Sequence, residues 1–130
     1  MWRAAAIAVC LAALLVPATA PAGSSEPVPD RVQVTGSEYN LLLSKPKLVP
    51  GRVIVQFINS GEDSHDLKLQ RLGASGQEGP ELGLGEVEPG QYANLDTHLR
   101  KGARYVLWCS LTGHRQLGME ATLKVARHRR

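Results

Sequence analysis

The chain has 130 residues, which suffices for one domain and is too few for two of ordinary size. Its formal net charge is +3, and three of the positive charges lie in a basic tail at residues 127–130, so the rest of the chain is nearly neutral. Only 5% of the residues are aromatic, so the composition argues against a nucleic-acid-binding protein, and we expect the tail to be a solvated end.

Residues 1–22 have the layout of a secretory signal peptide. Arg3 is followed by an apolar run at residues 4–16 and then by the small residues Ala18-Thr19-Ala20. This run is too short to span a bilayer comfortably, so a membrane anchor is the weaker interpretation. We therefore expect export to the periplasm, the cell surface or the medium, with at most peripheral membrane contact. Cleavage after Ala20 and cleavage after Ala22 both stay open.

The remaining chain is predicted to form strands, after a polar, proline-bearing linker at residues 23–30. Period-two alternation of apolar residues marks six runs. They are residues 31–35, 52–59, 65–72, 91–99, 103–110 and 119–126. Residues 73–90 hold six glycines, two prolines and four glutamates, which predicts a long acidic loop with at most a short edge element. That loop is either simply solvated or an acidic docking patch. No run has a helical period, so residues 31–126 are predicted to be one all-β sandwich or barrel.

Three uncommon residues are evenly spaced near the end of the chain. Once the leader is removed, Cys109 is the only cysteine and Met119 the only methionine, and His114 lies midway between them. A lone cysteine in an oxidising compartment is free, paired with another molecule or bound to a metal. Taken singly, these residues would more often be core or surface residues. Together, in a loop between two predicted strands, they can converge on one metal ion.

A fourth ligand must come from elsewhere, and the candidates are His65, His98 and His128. His65 opens a predicted strand directly after a turn, where a neighbouring loop can reach it, so we prefer it and expect the other two to be exposed non-ligands. Two imidazoles, one thiolate and a weak axial thioether are the donor set of a blue-copper site. Zinc rarely uses methionine, and calcium and magnesium prefer oxygen. The sequence therefore predicts one type 1 copper ion held by His65, Cys109, His114 and Met119.

The residues also resemble those of the cupredoxins, the small blue copper proteins that include plastocyanin, azurin and auracyanin. The matching segments are Val49-Pro50-Gly51 with RVIVQFIN, then Asn59, Gly61 and His65, then Glu88-Pro89-Gly90-Gln91, Gly102, Tyr105, CSLTGHRQLGM and TLKV. The Cys-x4-His-x4-Met spacing is most similar to auracyanin and rusticyanin. The resemblance covers roughly residues 32–125 and implies a Greek-key β-sandwich of about eight strands with copper at one end.

One position departs from the family pattern. Many cupredoxins carry Asn after the first histidine ligand, where its side chain bonds the residue that follows the cysteine; this chain has Asp66 and Ser110 there. An aspartate can still accept a hydrogen bond from the Ser110 hydroxyl or N–H, and its charge would favour Cu(II). Trp108 points away from Cys109 along its strand, so we expect it to pack in the core.

The resemblance implies a one-electron carrier cycling Cu(II)/Cu(I), with unknown redox proteins as donor and acceptor. Its expected electron port is His114, within a patch formed by Leu111, Gly113, Leu117 and Gly118. Arg115 beside this patch would steer an acidic partner. We expect a monomer and not an enzyme, because the chain lacks the His-x-His pairs and second cysteine of further copper centres. The alternative is a copper-sequestering or copper-delivery protein, which a single site does not distinguish from a carrier.

Overall fold

The computed structural model describes residues 26–129, so the predicted signal peptide, residues 23–25 of the predicted linker and Arg130 lie outside the described residues. Within the described part there are nine β-strands and no α-helix, and hence no helix long and apolar enough to cross a membrane. The strands are β1 (Asp30–Ser37), β2 (Asn40–Leu43), β3 (Lys47–Leu48), β4 (Gly51–Asn59), β5 (His65–Gly73), β6 (Gly76–Val87), β7 (Tyr92–Leu99), β8 (Arg104–Trp108) and β9 (Glu120–Val125).

These strands form two sheets that face one another. One sheet has the order β2-β1-β4-β7 and the other has the order β3-β9-β8-β5-β6. The pairs β1–β4 and β3–β9 are parallel, and the remaining pairs are antiparallel. The prediction of an all-β sandwich is confirmed. All six predicted strands are present, and the short strands β2 and β3 and the edge strand β6 are additional.

The core lies between the sheets because apolar side chains alternate along the strands. In β4, Val53, Val55 and Phe57 are each fully buried, while the residues between them are partly exposed. From the other sheet, β5 contributes Leu67 and Leu69, which are also fully buried. Burying one such side chain contributes about 1.5–3 kcal/mol, so the alternation fixes which face of each strand turns inward.

Residues 73–90 are mostly strand rather than loop, so that prediction was wrong. β6 pairs with β5 through a tight turn at Gly73–Gly76. It lies at the edge of its sheet, so one side of the strand has no hydrogen-bonding neighbour. Pro80, which lacks an N–H to donate, is tolerated there, and the glutamates remain in solvent. Gly83 is required there, since a Cβ at this position would lie 2.4 Å from the main-chain oxygen of Leu67. The glycines in this segment led to the prediction of a loop, but one of them, Gly83, is required for the strand to pair with β5.

One end of the sandwich brings together segments that are far apart in sequence. β4 ends there at Asn59 and β5 begins there at His65, while the loop between β8 and β9 returns across the same end. The turn between β1 and β2, Glu38-Tyr39, also lies at this end because Gly36 pairs with Asn59. Three separate segments of the chain therefore converge on the predicted copper ligands.

Candidate functional site

Residues 109–119 form a compact loop, here called the site loop, which is held by hydrogen bonds within its own main chain. Cys109 N–H donates to the Met119 oxygen and Met119 N–H donates to the His114 oxygen, both at 3.1 Å. Gly113 and Gly118 have φ values of 83° and 116°, a left-handed region that L side chains seldom adopt. The sequence therefore forms this loop because its two glycines permit the turns that bring Cys109, His114 and Met119 back together.

The segment leading into His65 is held by the buried side chain of Asn59. Its Nδ2 donates to the main-chain oxygens of Asp63 and Val87, both at 2.8 Å, and its Oδ1 accepts from Gly61 N–H at 2.9 Å. All three hydrogen bonds are made by a side chain that is fully buried. Asn59 thus fixes the course of residues 60–64, so that His65 enters β5 with its ring turned inward.

Three of the predicted ligand atoms form a triangle. His65 Nδ1 lies 3.1 Å from His114 Nδ1 and 4.0 Å from Cys109 Sγ, and His114 Nδ1 lies 3.6 Å from Cys109 Sγ. The point equidistant from these atoms is about 2.1 Å from each, which matches the ~2.0–2.3 Å bonds of imidazole nitrogen and thiolate to a transition metal. Among the described residues this is the one group of three histidine, cysteine or acidic residues whose ligand atoms all lie within 4.8 Å.

Met119, the predicted axial ligand, is fully buried beside this triangle. Its main chain bonds to both Cys109 and His114, so it cannot move independently of them. Its methyl group packs near Gly36, where an added Cβ would lie 3.1 Å from Met119 Cε and 2.7 Å from the Phe57 ring. The absence of a side chain at residue 36 leaves room for the Met119 methyl group.

The thiol of Cys109 is fully buried, and its environment favours the protonated form. Burial raises the pKa of the Cys109 thiol, and the nearby Asp66 carboxylate acts in the same direction. A thiolate at this position therefore needs a positive charge beside it, and a bound metal cation would supply one. The donor set fits a thiophilic metal ion, which would displace the thiol proton on binding.

Asp66 and Ser110 join β5 to the site loop. The Ser110 N–H donates to Asp66 Oδ1 at 2.6 Å, and the Ser110 hydroxyl donates to Asp66 Oδ2. The Asp66 side chain is only 6% exposed, and Lys68 Nζ lies 3.9 Å from its second oxygen. The structure therefore forms both of the hydrogen bonds that the sequence allows between these residues, one residue away from two ligands.

Two residues beside the site were not identified from the sequence. Glu38 Oε1 lies 3.0 Å from His65 Nε2, and the Tyr39 ring meets the His114 ring edge-on with centroids 5.1 Å apart. Hydrogen bonds from main-chain N–H groups, that of Asp63 first, lower the pKa of Glu38 to about 2. No local motif marks this turn, because its contact with His65 depends on the pairing of β1 with β4.

Trp108 and Arg115 contact one another beside the site loop. Trp108 is buried, as expected, but it is not part of the core cluster between the two sheets. The Arg115 guanidinium covers its ring at 4.6 Å from the centroid and pairs with Glu120 at 2.5 Å. A second bond from Arg115 goes to Gln77 Oε1 on β6 at 3.1 Å. Arg115 thus acts first as a structural cover, with its charge largely balanced by Glu120.

The other two histidines lie away from the triangle. His98 is exposed on β7, opposite Arg52, at the far end of the sandwich. His128 is exposed in the tail and lines a shallow cavity with Asp30 and Lys45. The tail is partly anchored, since Arg129 donates to the main-chain oxygens of Pro50 and Val28.

Comparison with known proteins identifies this fold. No family model matches the chain, and no curated protein is significantly similar to it in sequence. The reduced auracyanin of the photosynthetic bacterium Roseiflexus castenholzii matches with a TM-score of 0.60 and 17% identity, over 74% of this chain and 96% of its own. Rusticyanin from Thiobacillus ferrooxidans matches at 0.56 with 20% identity, over 75% and 79%. A multicopper oxidase matches at 0.52 with 16% identity, over 73% of this chain and 41% of its own. The chain has the cupredoxin fold.

Proposed function

We propose that this protein is a one-electron carrier that binds a single type 1 copper ion and works outside the cytoplasm. The observation that carries the proposal is the triangle of His65 Nδ1, Cys109 Sγ and His114 Nδ1, whose centre suits a metal ion. Met119, which is fully buried in the same loop, would be the fourth and weaker donor. The support for export is the signal-like composition of residues 1–22.

The donor set favours copper over other metals. A buried thiolate and a thioether are soft donors that suit copper, and two imidazoles serve both of its common oxidation states. Bound copper would supply the Cu(II)/Cu(I) couple. Calcium and magnesium would need oxygen ligands in the place of Cys109, and structural zinc sites rarely include methionine.

The ligands are held in a manner that suits electron transfer. His65 is fixed through the Asn59 bonds, while Cys109 and Met119 bond to one another through the main chain. The Asp66–Ser110 hydrogen bonds tie these two supports together. A ligand set that is already in place rearranges little when an electron arrives or leaves, so the barrier to transfer stays low.

His114 is the proposed electron port, because it is the ligand that reaches the surface. His65 and Cys109 are fully buried, whereas His114 is only partly buried. Leu117 beside it is 62% exposed and Tyr39 is 38% exposed, which gives the port an apolar rim. We propose that separate redox proteins dock here as donor and acceptor, each with a complementary apolar face, and that the carrier itself is a monomer.

The arrangement supports a carrier rather than an enzyme. Within residues 26–129, the triangle is the one cluster of this kind, and His98 and His128 lie away from it. A multicopper oxidase oxidises its substrate and needs further copper centres at which dioxygen is bound and reduced. The partial match to a multicopper oxidase therefore concerns the domain fold, and we propose no catalytic role.

A visible spectrum of the purified protein with added Cu(II) tests the proposal. Thiolate coordination should give intense blue or green absorption, which Cys109→Ser removes while the matched control His98→Ala keeps it. A copper-loaded but colourless protein would contradict the site. Fast, reversible voltammetry then supports the carrier, whereas slow electron exchange with ready transfer of copper to a chelator would favour the delivery protein.

A further inference from the structure

The turn between β1 and β2 places one carboxylate against a buried ligand ring. Glu38 Oε1 lies 3.0 Å from His65 Nε2, on the side of the ring opposite to the triangle. The same oxygen accepts the N–H groups of Glu62 at 2.8 Å and Asp63 at 2.9 Å. A single side chain from this turn therefore holds both the His65 ring and the segment that leads into it.

We propose that Glu38 is a positioning residue for His65, which orients the ring toward the metal and biases the site toward the oxidised ion. When Nε2–H donates to the carboxylate, Nδ1 keeps its lone pair and faces the triangle. A carboxylate partner also makes the imidazole a stronger donor. This inference rests on the proposed copper site, because the second effect needs a bound ion.

The fit of the carboxylate depends on a neighbouring glycine. A Cβ at Gly61 would lie 2.2 Å from Glu38 Oε1, so any side chain there displaces the carboxylate. Gly61 N–H is itself held by Asn59 Oδ1 at 2.9 Å, which keeps the main chain close beneath Glu38. The Glu38 side chain is 29% exposed and the His65 side chain is fully buried, so water screens this pair only on one side.

The charge of Glu38 should stabilise Cu(II) more than Cu(I). An anion beside a ligand ring gains more from the doubly charged ion than from the singly charged one. Loss of such a ligand partner typically weakens metal binding about 10–100-fold. We expect the Cu(II) affinity to fall by a larger factor than the Cu(I) affinity. For each tenfold by which the loss of Cu(II) affinity exceeds the loss of Cu(I) affinity, the reduction potential of this one-electron couple rises by about 59 mV.

Three variants separate the two parts of the proposal. Glu38→Gln keeps an acceptor oxygen but removes the charge, and Glu38→Ala removes both. Gly61→Ala leaves Glu38 in the chain but displaces its carboxylate. Glu62→Gln is the matched control, because it removes an equal charge next to the same turn from an exposed side chain that does not bond His65.

The measurements are the reduction potential and the affinities for Cu(II) and Cu(I), together with nitrogen NMR of the His65 ring in the metal-free protein. We expect Glu38→Gln and Gly61→Ala to raise the potential and Glu62→Gln to change it little. We also expect the ring of the unsubstituted protein to carry its proton on Nε2, and Glu38→Ala to lose this preference. Equal potentials for Glu38→Gln and Glu62→Gln would overturn the charge effect, and an unchanged tautomer in Glu38→Ala would overturn the positioning.

The failure of this inference and that of the copper site give different results. If the unsubstituted protein binds Cu(II) without thiolate absorption, the copper proposal fails, while the NMR measurement still decides the orientation of His65. If the protein is blue and the Glu38 variants match it in potential and tautomer, the copper site stands and the role of Glu38 is refuted.

Discussion

The two sides of the site are held by different kinds of bond. The site loop carries Cys109, His114 and Met119 within eleven residues and is shaped by main-chain hydrogen bonds and glycine turns. The opposite side carries His65, which is fixed by the side chains of Asn59, at the end of β4, and Glu38, in the turn between β1 and β2.

This difference predicts how each side responds to substitution. Main-chain bonds survive most side-chain changes, so the site loop should tolerate substitutions at its non-ligand, non-glycine positions. A buried amide with several partners leaves all of them unsatisfied when it is removed. The side that holds His65 should therefore be the more fragile one.

The largest effect is expected at Asn59. Asn59→Ala removes two donated bonds and one accepted bond at a fully buried position, which should cost about 2–4 kcal/mol of the free energy of unfolding. Urea unfolding of the metal-free protein measures this cost. Asn94→Ala, an exposed asparagine on β7, is the control and should cost little. Equal costs for the two variants would end the claim that the His65 side depends on one buried amide.

The next effect concerns the strand that supports β5. Gly83→Ala would place a methyl group 2.4 Å from the Leu67 main-chain oxygen, beside the bulge that follows His65, and should cost about 1–3 kcal/mol. Gly85→Ala lies two residues further along the same strand and meets nothing within 4 Å. Thermal unfolding should separate the two variants clearly. If both behaved alike, the register of β6 against β5 would be wrong.

A smaller effect is expected at the connection between the two sides. Asp66→Asn keeps an acceptor for the Ser110 N–H but removes a buried negative charge from the residue that follows His65, whose partner Ser110 follows Cys109. The reduction potential should rise by an amount equivalent to about 1 kcal/mol, with the folded state retained. Voltammetry of the copper protein measures it. An unchanged potential would show that this charge does not act on the metal.

The smallest effect is expected at Arg115 in the site loop. Its charge is paired with Glu120, so Arg115→Gln should change the rate of electron transfer to a negatively charged reagent by a factor equivalent to less than about 1 kcal/mol. Any change should vanish at high ionic strength. Lys101→Gln, in an exposed turn at the far end, is the control. A large, salt-dependent loss would instead make Arg115 a principal docking charge.

The sequence predicts the parts of this protein that are local. Alternation marked six strands, and the spacing of Cys109, His114 and Met119 marked the site loop. β6 was missed because the penalty for glycine and proline is small at a sheet edge, which sequence alone does not reveal.

The contacts of Glu38 and Trp108 could not be predicted for a related reason. Glu38 reaches His65 across 27 positions in the chain, and that contact exists only because β1 pairs in parallel with β4. Trp108 was correctly placed opposite Cys109, but only the structure shows Arg115 covering that outer face. Such contacts follow from topology, which the local pattern of residues does not determine.

The most direct test of the central claim is a crystal structure of the copper-loaded protein with the metal located by its anomalous scattering. We predict one ion bound by His65 Nδ1, His114 Nδ1 and Cys109 Sγ, about 2.1 Å from each, with Met119 at a longer distance. Copper bound instead at His98, at His128 or through Nε2 of His65 would contradict it.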